Sequence, residues 1–386
     1  TALTPEEAAR AAEALAAAFR DMTGLYNATS VSSATGVRTT VPSDTTAGVE
    51  GRATNNDESS TTEIPSFLSI ADEDDQMVTT AVAFPIDRDD GSSSSSTQTH
   101  QTTKTISVYP SVKDHRFAAS DMSASQNNQL WSKTIQKEWK ILCASLPDNI
   151  FVRVFESRMD LLRALIVGPP GTPYHDGVFL FDFCLGSNYP QEPPSASYHS
   201  FGIRVNPNLY ESGKVCLSLL ATWAGKGSEV WDAKVSNMLQ VLVSIQGLVL
   251  VDDPYYNEAG YEKQHGTEEG FKLGSQYNEQ AFLGNVKTIL AALRNPPAHF
   301  SELIKNHFKE RGGGFLLACE AYLDGCPVGG YTPGWKDNVQ NTEEESSSAQ
   351  LPSSSKKQKP PPSAGFKLAL QKLTPKLRVA FEENGK

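Results

Sequence analysis

Long apolar runs are missing from this chain. No stretch of about 18 apolar residues occurs, so no membrane-spanning helix is expected. Basic charge is short: 34 Lys+Arg stand against 45 Asp+Glu, a net charge of −11. An acidic chain is a poor nucleic-acid coat, because phosphate binding needs a basic surface. Cysteine is sparse, and the spacing of Cys143, Cys184, Cys216, Cys319 and Cys326 fits no disulfide framework. Cys319 and Cys326 are too far apart for a zinc pair, and His299 and His307 do not rescue the spacing, so neither metal nor cofactor is expected. A Gly-rich phosphate loop ending in Lys-Ser/Thr is absent, as is a GxSxG elbow. The first twenty residues are Ala-rich with acids and lack the basic-then-apolar layout of a secretory leader. The chain does not open on methionine, as befits a processed or cut chain. The expectation is a reduced, intracellular protein, cytoplasmic and/or nuclear.

The 386 residues leave room for two or three average domains, or for one domain with long arms. Hydrophobic residues make up 39%, low for a fully packed chain of this size. Composition decides for the arms. Residues 21–105 are Ser, Thr, Asp and Gly with few large apolar side chains, too few to offset chain entropy. Residues 1–126 are therefore expected to be a mostly disordered N-terminal arm, with a short Ala-rich helix over 2–19. Residues 127–295 form the core domain and 296–335 a helical C-terminal extension. Residues 336–386 read as a low-complexity linker and a short basic amphipathic tail, which Pro375 should bend or break. No internal repeat of solenoid length is present.

In the dense part, Leu130, Trp131, Ile135, Trp139 and Leu142 recur on one face of an N-terminal helix, with Lys133, Lys137 and Lys140 mostly on the other. Strand-type runs follow at Ile150–Phe155, Leu161–Val167 and Val178–Cys184, the last placing Phe179, Phe181 and Phe183 on one side. A fourth strand is expected over 196–203. Turn formers separate these runs at Gly168-Pro169-Pro170-Gly171 and His175-Asp176-Gly177, where His175 reads as an exposed turn residue. Helical patterns occupy 235–249, 274–293 and 298–323. Strands in the middle with helices at both ends predict an α+β fold with a four-stranded antiparallel meander sheet.

One segment stands out for chemistry: Asn206-Pro207-Asn208-Leu209-Tyr210-Glu211-Ser212-Gly213-Lys214-Val215-Cys216-Leu217. It resembles the ubiquitin-conjugating enzymes, whose His-Pro-Asn is followed eight residues after its Asn by the active-site Cys. Asn208 and Cys216 keep that separation. Gly168-Pro169-Pro170-Gly171-Thr172-Pro173-Tyr174 with Gly177-Val178-Phe179 resembles the family's second-to-third strand turn. Tyr189-Pro190 with Pro193-Pro194 resembles its Tyr-Pro-x-x-Pro-Pro loop, and Trp223 and Asp253-Pro254 also match in order. The resemblance covers roughly residues 130–291. The Asn-Pro-Asn start, the extra residues 224–232 and the run 254–261 look like the large-chain branch, which includes plant enzymes and hybrid conjugating enzyme/ligases.

The resemblance implies an acyltransferase that takes ubiquitin, or a ubiquitin-like modifier, from the ATP-dependent activating enzyme as a thioester on Cys216 and passes it to substrate lysines. Covalent relay through a thiol splits a hard acyl transfer into two easier steps. Cys216 has no basic sequence neighbour except Lys214 and no evident His-Asp partner, which a hydrolase would need. A non-catalytic ubiquitin-binding variant of the same fold is the rival; a ubiquitin-removing cysteine hydrolase is a third. Asn208 can donate to the oxyanion of the thioester carbonyl or brace its own turn. Asp253 can orient and help deprotonate the incoming lysine, or simply start the turn before Pro254. Lys133, Lys137 and Lys140 are a solvated face or, by resemblance, a contact for the acidic activating enzyme. Trp223 and Trp231 read as packing residues and Lys356-Lys357-Gln358-Lys359 as a solvated linker run. Two departures touch ligase partnership: Gln191 stands where many members carry a docking aromatic, and the loop carrying Trp223 and Gly225-Lys226-Gly227-Ser228-Glu229 is enlarged. They point to activity without an ordinary ligase. Removing residues 1–105 and 338–386 is expected to leave charging of Cys216 intact.

Overall fold

The computed structural model describes residues 105–120, 129–335 and 359–385. The sheet has five strands in the order β1 (Ile106–Tyr109), β2 (Ile150–Phe155), β3 (Leu161–Val167), β4 (Val178–Cys184) and β5 (Ser195–Tyr198). β2 to β5 form the expected antiparallel meander. β1 was not expected. It lies in the stretch assigned to the N-terminal arm and pairs parallel with β2, Ile106 opposite Val152 and Tyr109 opposite Phe155. Four residues, Ile-Ser-Val-Tyr, give too short a pattern to read; the β2 edge supplies their ladder. Parallel neighbours need a crossover, and helix α1 (Gln129–Ser145) lies in the connection. The helix proposed for residues 2–19 falls outside the described residues.

α1 buries Trp131, Ile135, Glu138 and Leu142, one stripe at helical spacing. Leu130, expected on that stripe, is exposed instead. The buried carboxylate of Glu138 accepts from the Tyr189 hydroxyl (2.7 Å) and from the backbone N–H of Met238 (3.0 Å). Met238 opens helix α2 (Met238–Ser244), which Asn237 caps by accepting from Gln240 N–H, so α2 starts three residues later than the pattern suggested. It widens into one π-turn, Ile245–Val249.

Three further helices share one core. α3 (Glu268–Arg294) is capped by Thr267, and α4 (Ser301–Asp324) ends at Gly325 with φ 116°. α5 (Ala364–Asn384) is capped by Ser363. Phe282, Val286 and Ile289 of α3, Phe308 and Phe315 of α4, and Phe366, Leu370 and Leu377 of α5 pack together against Leu165, Val178 and Leu180 of the sheet. The tail is thus part of the core, and α5 runs through Pro375 without a break. Proline removes one interior helix bond; the contacts of Phe366, Leu370 and Leu377 outweigh that loss. All seven residues of β4 are buried, because both sheet faces are covered. His175 is buried too, against expectation. Its ring stacks on Phe282 at 5.5 Å, and its Nε2 is 2.9 Å from the Tyr322 hydroxyl of α4.

One buried ionic cluster ties the N-terminal segment to the sheet. Arg163 faces Asp182 across β3 and β4, both fully buried, and donates twice to it at 2.6 and 2.9 Å. Asp114 takes a third Arg163 bond at 2.9 Å, and Arg116 N–H donates to Asp182 at 2.8 Å. Burial alone would raise the Asp182 pKa, but bonds from His199 and Arg163 outweigh it and hold the carboxyl far below the usual range. A carboxyl held low in the folded state adds stability above its unfolded pKa, about 4. That contribution is lost as pH falls below there toward the folded value. Asp182→Asn should cost roughly 3–5 kcal/mol at pH 7, since it removes the buried charge paired with the Arg163 guanidinium and leaves it only the half-exposed Asp114. It should also flatten the acid limb of stability; urea unfolding at pH 7 and pH 3 checks both.

No described helix is long and apolar enough to cross a membrane. Among the described residues no group of three His, Cys, Asp or Glu side chains could hold a metal ion.

Candidate active site

The segment around Cys216 is a loop held by its own polar side chains. Asn206, fully buried, donates through Nδ2 to the Val249 carbonyl (2.7 Å) and the Tyr174 hydroxyl (2.8 Å), and its Oδ1 accepts from Asn208 N–H (2.8 Å). The residue at the family's His position therefore ties the loop to the end of α2. Asn208 donates through Nδ2 to the Cys216 carbonyl (2.9 Å), and Cys216 N–H donates to the Asn208 carbonyl (2.9 Å). Asn208 thus braces the cysteine backbone, and its Oδ1 accepts no bond among the described residues. Between them the chain reverses at Gly213, φ 88°, where a Cβ would sit 2.9 Å from the Tyr198 carbonyl oxygen; only glycine fits. Beyond Cys216, Thr222 Oγ1 donates to the Val215 carbonyl (2.7 Å) and accepts from Leu217 N–H (3.0 Å).

Cys216 is 1% exposed. Its thiol meets the Tyr210 hydroxyl, and burial, with Cys216 next, pushes that phenol up. The Arg204 guanidinium lies 4.3 Å from the Tyr210 ring centre, a cation–π contact. Arg204 also donates to the Pro207 carbonyl (3.2 Å) and reaches Glu258 (3.5 Å). Among the described residues no imidazole or carboxylate hydrogen-bonds the Cys216 thiol. Cys184, Cys319 and Cys326 are buried, and burial pushes each thiol up to about 12.

Asp253 precedes the short turn Pro254–Asn257, and its side chain does not cap that turn. Its Oδ1 accepts from Asn278 of α3 (3.3 Å) and from Lys359 Nζ (2.8 Å). Glu258, just past the turn, connects this region to Cys216 through Arg204 and Tyr210. Cys216 and Asn208 are in direct contact, whereas the polar contacts of Asp253 run to Asn278 and Lys359. Lys133, Lys137 and Lys140 lie elsewhere, all exposed on α1. Gln191 is exposed and Trp223 partly so. Trp231 of the enlarged loop donates to the Pro190 carbonyl (2.7 Å), its ring 5.6 Å from Tyr189. Tyr210, Arg204 and Glu258 were missed in the sequence. None carries a spacing signal, and only folding brings Glu258 to Arg204.

Residues 134–281 match the family model of ubiquitin-conjugating enzymes. A putative ubiquitin-conjugating enzyme E2 38 of Arabidopsis thaliana is 49% identical over 231 residues, 60% of this chain and 70% of that protein. The chain belongs to the ubiquitin-conjugating enzyme family. It is also 53% identical over 272 residues to the probable ubiquitin-conjugating enzyme E2 23 of the same plant, covering 70% of this chain and 23% of that one. A human dual E2 ubiquitin-conjugating enzyme/E3 ubiquitin-protein ligase, BIRC6, is 40% identical over 205 residues, 51% of this chain and 4% of its own length. The large-chain branch of the family is the one these relatives represent. The chain spans about a quarter of the length of the first two curated relatives it matches, at 23% and 28%.

Proposed function

We propose that Cys216 takes ubiquitin from an activating enzyme as a thioester and releases it to the amine of a substrate lysine. The observation that carries this is the Cys216 loop, whose backbone is braced by Asn206 and Asn208. In loading, the Cys216 thiolate attacks the carboxyl-terminal carbonyl; the new C–S bond forms as the bond joining that carbonyl to the activating enzyme breaks, and the activating enzyme's group leaves with the electron pair. In discharge, the lysine nitrogen attacks, a tetrahedral oxyanion forms, and the thiolate leaves. The second N–H of Asn208 Nδ2 serves the oxyanion while the first braces Cys216. Asp253 orients the amine and takes its proton. The exposed lysines of α1 meet the activating enzyme. A free thiol nucleophile suits a reducing compartment, cytoplasm or nucleus.

Activity without an ordinary ligase fits the same picture. Gln191 offers no apolar anchor, and interfaces draw most of their energy from a few buried aromatic ones. Trp231 folds the enlarged loop onto the Tyr189-Pro190 turn, which crowds the neighbouring surface.

The deciding experiment mixes the chain with activating enzyme, ubiquitin and ATP and runs the products with and without reductant. One reductant-sensitive adduct is expected. The near-complete burial of Cys216 favours a second reading, a non-catalytic ubiquitin binder, and binding without any adduct would establish it in place of the first. In single-turnover discharge to free lysine, Asn208→Ala should charge almost normally and discharge about a hundredfold more slowly, the usual loss for one oxyanion donor. Equal loss of charging would leave Asn208 as a brace alone.

A further inference from the structure

Lys359 stands at the place that the function proposed above gives to the acceptor lysine. Its ammonium is 2.8 Å from Asp253 Oδ1 and donates to the Asp252 carbonyl at 3.1 Å. Asp253 is the carboxylate to which the proposed function gives the orienting of an incoming amine. The placement is built rather than incidental. Four residues on, Ser363 N–H and Oγ donate to the two Glu279 carboxylate oxygens of α3 at 2.7 and 2.6 Å. Pro360, Pro361 and Pro362 join the two points; proline runs are stiff, and Pro362 is itself buried. The Lys359 side chain keeps 26% of its surface exposed and Asp253 keeps 37%, so both remain open to solvent.

Resting on that function, we propose that Lys359 is an intramolecular acceptor, a modification site served by the charged Cys216 of the same chain. Lys359 passes one proton to Asp253, and the freed Nζ lone pair attacks the thioester carbonyl. The C–N bond forms, the C–S bond breaks, the amine's remaining extra proton goes to solvent, and Cys216 leaves as thiolate. An isopeptide on Lys359 results, with nothing oxidised or reduced. Tethered groups meet at an effective concentration on the order of millimolar, so this route outruns dilute external amines.

The test charges the full chain, removes ATP, and follows the reductant-resistant adduct over a range of protein concentrations, with peptide mapping. A first-order rate independent of protein concentration, with the isopeptide on Lys359, is expected. Lys359→Arg keeps the positive charge on Asp253; it should charge normally and lose that adduct by about tenfold or more. A thioester that persists without such an adduct, or an adduct on other lysines that Lys359→Arg does not slow, overturns the inference while the proposed function stands. Absence of any Cys216 thioester overturns both.

Discussion

Cys216→Ala is expected to abolish the reductant-sensitive ubiquitin adduct down to background. The expectation rests on both ends of the bond. At position 216 the loop fixes the backbone that presents the thiol, through Asn208 Nδ2 to the Cys216 carbonyl. The alternatives are poor nucleophiles: thiols with a pKa of about 12, as at Cys184, Cys319 and Cys326, are roughly one part in ten thousand thiolate at pH 8, and the thiolate is the attacking species. Cys143 is exposed on α1, away from the braced loop, and gives background at most. Cys216→Ser should hold ubiquitin as an oxyester that survives reductant, since an alkoxide leaves less readily than a thiolate. A non-reducing gel separates these outcomes. Normal charging of Cys216→Ala, with Cys143 required instead, would refute the assignment.

Removing α5 is expected to unfold the domain. Phe366 is 3% exposed, and Leu370 and Leu377 are fully buried. Each such side chain contributes about 1.5–3 kcal/mol by leaving water, roughly 5–9 kcal/mol for three. Their departure also uncovers Phe282, Phe308 and Phe315 of α3 and α4. A domain's whole margin is about 5–15 kcal/mol. A chain ending before residue 359 should therefore lose its cooperative thermal transition and its charging, contrary to what the composition of 336–386 suggests. Leu370→Ala gives the graded version, a loss of roughly 2–5 kcal/mol read by urea unfolding. A truncated chain that melts cooperatively and charges fully would show that the α5 packing is dispensable.

Local pattern made part of this legible. β2, β3 and β4 carry the bounds read from their apolar runs, because a continuous run between turn formers leaves little choice. The Cys216 motif was legible through its resemblance to the family, because Asn208 and Cys216 keep the family's eight-residue separation. What failed was non-local. β1 exists because β2 offers an edge, and nothing in Ile-Ser-Val-Tyr says so. α5 was obscured by Pro375, whose cost is local and visible, while its compensation lies on two other helices. His175 looked like a turn residue because its neighbours are turn formers; its burial comes from Phe282 and Phe315. Lys359 lies 107 residues from Asp252, so no spacing rule reaches it.

Glu138 gives α1 a second use. One face of the helix presents Lys133, Lys137 and Lys140 outward; the other sends a single carboxylate to both the Tyr189 loop and the first turn of α2. A body that grips the lysines and tilts the helix must drag on both hydrogen bonds, because one carboxylate holds them together. The loop bearing Gln191, the helix bearing the lysines and the first turn of α2 are therefore pinned at one carboxylate.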